Sequence, residues 1–225
     1  LAGGVGTRMG TPIPKQYLPV HQKPLALYSF DVFRTLPEVQ ELIVVCEPMY
    51  DALFLTAAIE RHFELRFARP GQRRQDSVFS GLQKVQGKGL ICTHDAARPL
   101  IDVENIRKVV GEAESWGAAA LGVKVKSTIK ECDGAQVVVA TPNRAGLWEM
   151  QTPQVVRLDL LKEGFKYVHE HQVTVTDDVS LVELLGKPVK VVEGSYTNIK
   201  VTTPQDLEFV ELRLLENRCT VTKSF

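Results

Sequence analysis

The chain has 225 residues, of which 44% are hydrophobic and 24% charged, as in a globular protein that buries a substantial core. Its 27 basic and 27 acidic residues cancel, so no overall field would recruit nucleic acid or an anionic membrane. No apolar run approaches the length that crosses a bilayer. The four cysteines include no Cys-x-x-Cys pair, which argues against a disulfide framework or a zinc site. We expect Cys46 and Cys92 to be buried free thiols.

A glycine-rich segment, Leu1-Ala2-Gly3-Gly4-Val5-Gly6-Thr7-Arg8-Met9, opens the chain and is followed by Pro14-Lys15-Gln16. Its glycines let the backbone turn sharply and approach a ligand, and amides in such a turn can point at an anion. Arg8 and Lys15 add positive charge. The pattern is neither a P-loop nor a dinucleotide fingerprint. It indicates a phosphate site, with a plain strand-to-helix turn as the alternative. We expect a strand, and any targeting peptide, to precede it.

Apolar strand-like runs then alternate with helical patterns. The pattern predicts helices over 25–36, 51–61, 76–85, 103–116, 158–169, 176–185 and 204–216. It predicts strands over 41–46, 65–67, 89–93, 118–123 and 189–192. Asp102 and Thr203-Pro204-Gln205-Asp206 are placed to cap helices. The alternation predicts a doubly wound α/β fold with a mostly parallel sheet, in a single domain over 1–225.

The alternation breaks after residue 124. β-prone runs flank Asp133-Gly134, a hairpin signal, within an insertion of about 124–150. A hairpin of this size has too little core of its own and needs a surface to lie against. That surface could belong either to a partner subunit or to the domain that carries the hairpin, and the sequence favours neither.

Charged residues follow several of the predicted strands, at the edge where doubly wound sheets bind ligands. The charged residues that we expect at this rim are Arg8, Lys15, Arg73, Arg74, Asp95, Arg98 and Lys200. Arg8, Lys15 and Lys200 could hold triphosphate oxygens and offset charge on a phosphorus under attack.

Other rim residues allow two interpretations each. Asp95 could bind Mg²⁺ carried by a triphosphate, or could pair with Arg98. Ser77 could contact a base or ribose, or only cap its helix. Arg73 and Arg74 could be solvated loop charges.

Taken together, the motifs resemble those of the 2-C-methyl-D-erythritol 4-phosphate cytidylyltransferase family over nearly the whole chain. Besides the two opening motifs, they are Gln75-Asp76-Ser77-Val78, His94-Asp95-Ala96-Ala97-Arg98-Pro99, Leu147-Trp148, Gln151-Thr152-Pro153-Gln154, Thr176-Asp177-Asp178 and Asn198-Ile199-Lys200-Val201-Thr202. The resemblance implies a Rossmann-like nucleotidyltransferase domain with a projecting β-arm over about 124–150, which interlocks with the arm of a second subunit in a homodimer. It implies transfer of a cytidylyl group from CTP to the alcohol phosphate, with release of pyrophosphate.

The resemblance also implies roles for residues. The catalytic set would be Arg8, Lys15, Arg144 and Lys200. CTP would be bound by Ala2, Gly3, Gly4, Gly71, Ser77 and Asp95. Methylerythritol phosphate would be bound by Arg98, Thr176, Lys200 and Arg144, the last acting from the neighbouring subunit. Mg²⁺ is the implied cofactor, with Asp95 near the phosphates that carry it.

Two departures from the family pattern concern the site. Asn143 precedes Arg144 where an acid is usual, and Gln72 stands where a charged residue is frequent.

The nearest alternative function is that of a ribitol-5-phosphate cytidylyltransferase. A sugar-1-phosphate nucleotidyltransferase fits less well, and a non-catalytic nucleotide-binding homologue is the alternative of another class. Segments 175–180 and 195–200 favour the plastid stroma, with the bacterial cytoplasm as the alternative.

Overall fold

The computed structural model describes residues 1–4, 10, 12–59 and 62–221, with side chains up to residue 216. In this part of the chain the helices are α1 (Ala26–Arg34), α2 (Asp51–Ala57), α3 (Arg74–Leu82), α4 (Val103–Trp116), α5 (Leu158–His171), α6 (Ser180–Glu183) and α7 (Pro204–Val221). The strands are β1 (Pro19–Val20), β2 (Lys23–Pro24), β3 (Glu41–Val45), β4 (Glu64–Ala68), β5 (Leu90–Thr93), β6 (Ala118–Lys124), β7 (Glu131–Cys132), β8 (Val138–Ala140), β9 (Trp148–Arg157) and β10 (Lys190–Glu193). The predicted α/β class is confirmed. Of the described helices, none is both long and apolar enough to cross a membrane.

The central sheet is mixed. Its strand order is β10-β6-β9-β5, and β3 pairs with β4 in a separate parallel sheet. β6 and β10 are parallel, whereas β9 runs antiparallel to both of its neighbours. A mostly parallel sheet is therefore not confirmed, because the strand that follows the hairpin insertion returns in the opposite direction.

β9 is the ten-residue strand that sequence patterns failed to predict. Pro153 lies in its middle and cannot donate a backbone hydrogen bond, so the segment resembles a loop. Gln151, Thr152 and Gln154 add a polar run, yet all three are buried. Only the tertiary structure explains this, because their side chains bond to other segments of the site.

A gap separates the two sheets. β3 and β5 border a cavity of about 830 Å³, with walls that include Val44, Leu82 and Ile91. At the carboxyl end of β3, the Ala2 amide donates to the Val45 carbonyl at 2.8 Å, and the Leu1 carbonyl accepts from the Ala96 amide at 3.0 Å.

The cysteines test one burial prediction. Cys46, which follows β3, is buried as predicted. Cys92 lines the cavity and is exposed, so that prediction is wrong for Cys92.

Helix caps are the best predicted local features. The Asp102 carboxylate accepts from the Asn105 amide at 2.7 Å and begins α4 as predicted. The Asp206 carboxylate accepts from the Thr202 and Thr203 amides, each at 2.8 Å, at the start of α7. These contacts are short in sequence, so they follow from local chemistry.

Several helices are shorter than predicted, and the reduction is largest in α6 and α2. The helix predicted over 176–185 is reduced to α6, because Asp177 accepts from the Ser180 amide at 3.1 Å and the preceding residues make contacts elsewhere. The helix predicted over 51–61 ends at Ala57, and residues 60–61 lie outside the described chain.

The predicted hairpin forms, with β7 and β8 antiparallel. Its turn is longer than a two-residue Asp-Gly turn. The Asp133 carbonyl accepts from the Gln136 amide at 3.0 Å, and Gln136 adopts a left-handed φ of 64°. Val137, Val138 and Val139 are more than half exposed, so within this chain the hairpin leaves an apolar surface uncovered.

The close approach of α5 to α6 gives a stability prediction. A Cβ on Gly164 would lie 2.8 Å from both the Cβ and the carbonyl oxygen of Leu181. We expect Gly164→Ala to lower the free energy of unfolding by about 1–3 kcal/mol, because overpacking forces neighbouring backbone to shift. Urea denaturation followed by circular dichroism measures the change.

Gly111 supplies the matched control. It lies in α4 and is exposed, and among the described residues no atom outside its own helix backbone lies within 4 Å of the position that a Cβ would take. Gly111→Ala should raise the free energy of unfolding by up to about 1 kcal/mol, since alanine favours helix. Equal stability of Gly164→Ala and the wild type would contradict the tight α5–α6 packing.

Candidate active site

The predicted rim forms where three segments meet, 14–16, 94–98 and 198–201. The Lys15 ammonium donates to the Val201 carbonyl at 2.6 Å. The Val201 amide in turn donates to a carbonyl of the 94–98 segment at 2.8 Å. The structure therefore brings the segment that carries Lys15 beside the segments that carry the other rim charges.

A buried carboxylate lies at the centre of these charges. Asp95 Oδ2 accepts from Lys200 Nζ at 2.6 Å, and Asp95 Oδ1 accepts from Arg74 Nε at 3.2 Å. Arg74 also donates two bonds to the carboxylate of Asp178, at 2.7 and 2.8 Å. The Asp178 side chain is only 2% exposed. Two carboxylates and two cations thus form one connected cluster.

This cluster corrects two of the interpretations open at the sequence level. Asp95 pairs with Arg74 and Lys200, so the alternative of a pair with Arg98 is wrong. Arg74 is not a solvated loop charge, because it joins two buried carboxylates.

The two cations determine the pKa of Asp95. Burial alone would raise this pKa, but the charges of Arg74 and Lys200 outweigh the effect of burial and hold the pKa well below its usual range.

His94 supports Asp95 from the neighbouring position. Its Nε2 lies 3.0 Å from the Arg98 carbonyl, which can only accept, so Nε2 carries the proton. Its Nδ1 then accepts from the Thr152 hydroxyl at 3.1 Å, and the same hydroxyl oxygen accepts from the Asp95 amide at 3.1 Å. Burial lowers the pKa of His94 to about 3, so the ring is neutral and serves as a fixed support.

Arg98 and Asn198 join the second and third segments. The Arg98 guanidinium donates to the Asn198 carbonyl at 2.7 Å. The Asn198 amide group donates to the Thr152 carbonyl at 2.9 Å and fixes the segment that carries Lys200 against β9. Among the described residues, Arg98 Nε and Asn198 Oδ1 are buried without a hydrogen-bond partner.

Gln154 is a positioning residue that sequence reasoning missed. Its side-chain oxygen accepts from the Asp178 and Val179 amides at 2.8 and 3.1 Å, and its nitrogen donates to Asp177 Oδ2 at 3.1 Å. It therefore fixes the loop that presents Asp178 to Arg74. The motif that contains Gln154 was recognisable, but its role depends on the burial of β9.

The glycine-rich segment is held close to the loop before α3. A Cβ on Gly3 would lie 2.3 Å from the Pro70 Cβ, so only glycine fits there. The Gln16 side chain donates to the Ala2 and Gly4 carbonyls, each at 2.8 Å. Arg8, the first predicted cation, lies outside the described residues.

The loop before α3 has a second tight approach. A Cβ on Gly71 would lie 2.4 Å from the Asp76 Cβ. The Gly71 amide donates to the Ser77 hydroxyl at 3.0 Å. Arg73 pairs with Asp76 in the cap of α3, which fits a structural role for this arginine.

The remaining two predicted residues lie apart from the cluster. In the part of the chain that is described, the Arg144 guanidinium donates to the Lys126 carbonyl at 2.7 Å and contacts none of the charges around Asp95. Asn143, which replaces the usual acid, accepts from the Ala145 amide at 3.0 Å and caps the short helical turn that Arg144 begins. Thr176 is exposed, two residues before Asp178.

The described side chains include no cluster of three or more His, Cys, Asp or Glu that could hold a metal ion. Both oxygens of Asp95 accept hydrogen bonds from cations. Two cations therefore already lie against Asp95, and the described protein groups alone do not form a complete magnesium site.

Comparison with known proteins adds the family. The model of the 2-C-methyl-D-erythritol 4-phosphate cytidylyltransferase family matches residues 1–216. The chain is 51% identical over 219 residues to the chloroplastic enzyme of that name from Oryza sativa subsp. japonica, covering 97% of this chain and 73% of the relative. It is 41% identical to the Chlamydia pneumoniae enzyme of the same name, covering 95% of this chain and 96% of the relative. The crystal structure of 4-diphosphocytidyl-2C-methyl-D-erythritol synthase from Anaerococcus prevotii superposes with a TM-score of 0.82 at 28% identity, covering 95% of each chain.

The α/β fold, the cation-rich rim and these similarities define a cytidylyltransferase. More narrowly, the chain belongs to the 2-C-methyl-D-erythritol 4-phosphate cytidylyltransferase family.

Proposed function

We propose that the protein transfers the cytidylyl group of CTP to 2-C-methyl-D-erythritol 4-phosphate. A phosphate oxygen of the alcohol phosphate attacks the α-phosphorus of CTP, the bond to the β-phosphate breaks, and pyrophosphate leaves. The product is 4-diphosphocytidyl-2-C-methyl-D-erythritol. The family match over residues 1–216 carries the proposal. The convergence of Lys15 and Lys200 on one rim supports it, because both substrates are phosphates.

We propose further that the fold is a Rossmann-like nucleotidyltransferase domain whose insertion over about 124–150 is a projecting β-arm. The helix and strand alternation and the similar Anaerococcus structure support this. In this proposal the exposed Val137, Val138 and Val139 are covered by the arm of a second subunit in a homodimer.

For CTP we propose a backbone-lined pocket. Its residues are Ala2, Gly3, Gly4, Gly71, Ser77 and Asp95. A Cβ on Gly3 would overlap Pro70 and a Cβ on Gly71 would overlap Asp76, so tight packing within the protein requires both glycines and fixes the segments that would line this pocket. Arg8 and Lys15 then stabilise negative charge that develops around the α-phosphorus.

For methylerythritol phosphate we propose Lys200, Arg98 and Thr176 from one subunit and Arg144 from the arm of the other. The contact of Arg144 with the Lys126 carbonyl, away from Asp95, fits an action in trans. No covalent enzyme intermediate is involved, so positioning and charge stabilisation provide the rate enhancement.

We propose Mg²⁺ as the cofactor, bound mainly by the triphosphate of CTP, where it offsets phosphate charge. In this proposal Asp95 lies near the phosphates that carry the ion. For compartment, we propose the plastid stroma on the 51% identity to the chloroplastic rice enzyme, with the bacterial cytoplasm as the alternative because bacterial relatives also match.

Pyrophosphate release tests the function. With CTP and Mg²⁺, we expect faster release with methylerythritol phosphate than with ribitol 5-phosphate. Faster use of ribitol 5-phosphate would assign the enzyme to the alternative substrate. CTP binding with no release from either alcohol phosphate would support a non-catalytic nucleotide-binding protein.

Lys15 has a separate kinetic prediction. Lys15→Ala should lower kcat by about 100-fold or more, as loss of a transition-state charge donor does, while the Kd for CTP rises by less than about tenfold. Steady-state kinetics and calorimetric CTP titration measure the two effects. Lys84→Ala, a substitution of an exposed residue just after α3, is the control. Equal losses in kcat and CTP affinity would contradict a transition-state role for Lys15.

Subunit mixing tests the action of Arg144 in trans. Lys15→Ala and Arg144→Ala homodimers should each have little activity. In mixed dimers one of the two sites carries neither substitution, so activity should return to about half of the wild-type value if sites are independent. Absence of activity in verified mixed dimers would mean that Arg144 serves its own subunit.

A further inference from the structure

Arg74 is the one residue of the charged cluster that touches both carboxylates. It begins α3 and donates to Asp178 through both terminal nitrogens, at 2.7 and 2.8 Å, and to Asp95 through Nε at 3.2 Å. A bidentate pair of this kind fixes the plane of a guanidinium. Asp178 is fixed in turn, because its amide donates to the buried Gln154 side chain at 2.8 Å. Arg74 is therefore anchored independently of Asp95.

Lys200 holds the other oxygen of Asp95 in a different manner. It is a single ammonium on a flexible chain, and its side chain is 36% exposed, whereas the Asp95 side chain is 9% exposed. Of the two cations on Asp95, Lys200 is the one that can turn toward a ligand. If it turned and nothing else paired with Asp95, a buried carboxylate would lose its counter-charge, which is costly.

From this geometry we infer that Arg74, clamped by Asp178, is a positioning residue that keeps Asp95 paired while Lys200 turns to the phosphate of the alcohol substrate. The inference rests on the proposed function, in which Lys200 binds that phosphate. Arg74 acts through Asp95 and Lys200 and does not itself touch the substrate. Without Arg74, Asp95 would hold Lys200 more tightly and compete with the incoming phosphate.

The expected consequence is a selective loss of affinity. Arg74→Gln should raise the KM for methylerythritol phosphate by about tenfold, the size expected for one lost charge-assisted hydrogen bond. The KM for CTP should change by less than about threefold, because Asp95 is the only residue of the proposed CTP pocket to which the described side chain of Arg74 donates. Pyrophosphate release at varied concentrations of each substrate measures both values.

A double variant separates this role from a structural one. Arg74→Gln alone leaves the buried Asp178 without its cation, and the chain could unfold for that reason. Arg74→Gln with Asp178→Asn removes one cation and one carboxylate and puts a neutral amide in place of each. We expect the double variant to regain thermal stability while its KM for methylerythritol phosphate stays raised by about tenfold.

Arg66 provides the control. It pairs with Glu41 at 2.8 Å with similar partial burial, on β4 away from Asp95. Arg66→Gln should leave both KM values unchanged. The inference is overturned if the double variant recovers the wild-type KM for methylerythritol phosphate, or if the KM for CTP rises as much. A wild-type enzyme that releases no pyrophosphate from CTP and methylerythritol phosphate would instead contradict the proposed function.

Discussion

The burial of the Asp95 carboxylate is the constraint on which the rest of the site depends. A charge removed from water is tolerated only when partners of opposite charge and hydrogen-bond donors replace the solvent. Arg74 and Lys200 supply the charge, and the Thr152 hydroxyl accepts from the Asp95 amide. These partners lie 21 to 105 positions away in sequence, so the carboxylate is paired only when α3 and the 198–201 segment are in place, while β9 fixes the backbone of Asp95.

β9 holds together the segments that surround Asp95. In an ordinary buried strand the side chains are apolar, whereas Gln151, Thr152 and Gln154 are polar and buried. Each bonds to a different segment: Gln151 to the Ser195 carbonyl, Thr152 to His94, and Gln154 to the loop before α6. A polar network is stable in a core only when its members are satisfied. The same contacts that satisfy β9 therefore hold the candidate site residues in register.

Local chemistry determined which parts of the fold could be predicted from sequence. The apolar run of β3 and the capped helix α4 are specified by adjacent residues, and both lie within one residue of their predicted bounds. β9 could not be predicted, because Pro153 and its polar neighbours resemble a loop until their tertiary partners are known. The helix predicted from residue 176 is short for the same reason, since Asp178 serves the charged cluster. Because ligands bind where the strands of such sheets end, the sequence predicted Asp95 and Lys200 at one rim. It did not indicate which arginine would contact Asp95.

Charge balance bears on the proposed binding of phosphate at this rim. Asp95 and Asp178 cancel Arg74 and Lys200 within the cluster, so attraction for an anion requires further positive charge. Arg98 provides some of it, because its guanidinium donates to the Asn198 and Met150 carbonyls, and none of the described ion pairs includes it. Burial lowers the pKa of Arg98, and the nearby charge of Asp95 offsets this only in part. A guanidinium remains protonated even so. In the proposed site a phosphate beside Arg98 would supply further counter-charge to this guanidinium, and binding there would offset part of the cost of burying it.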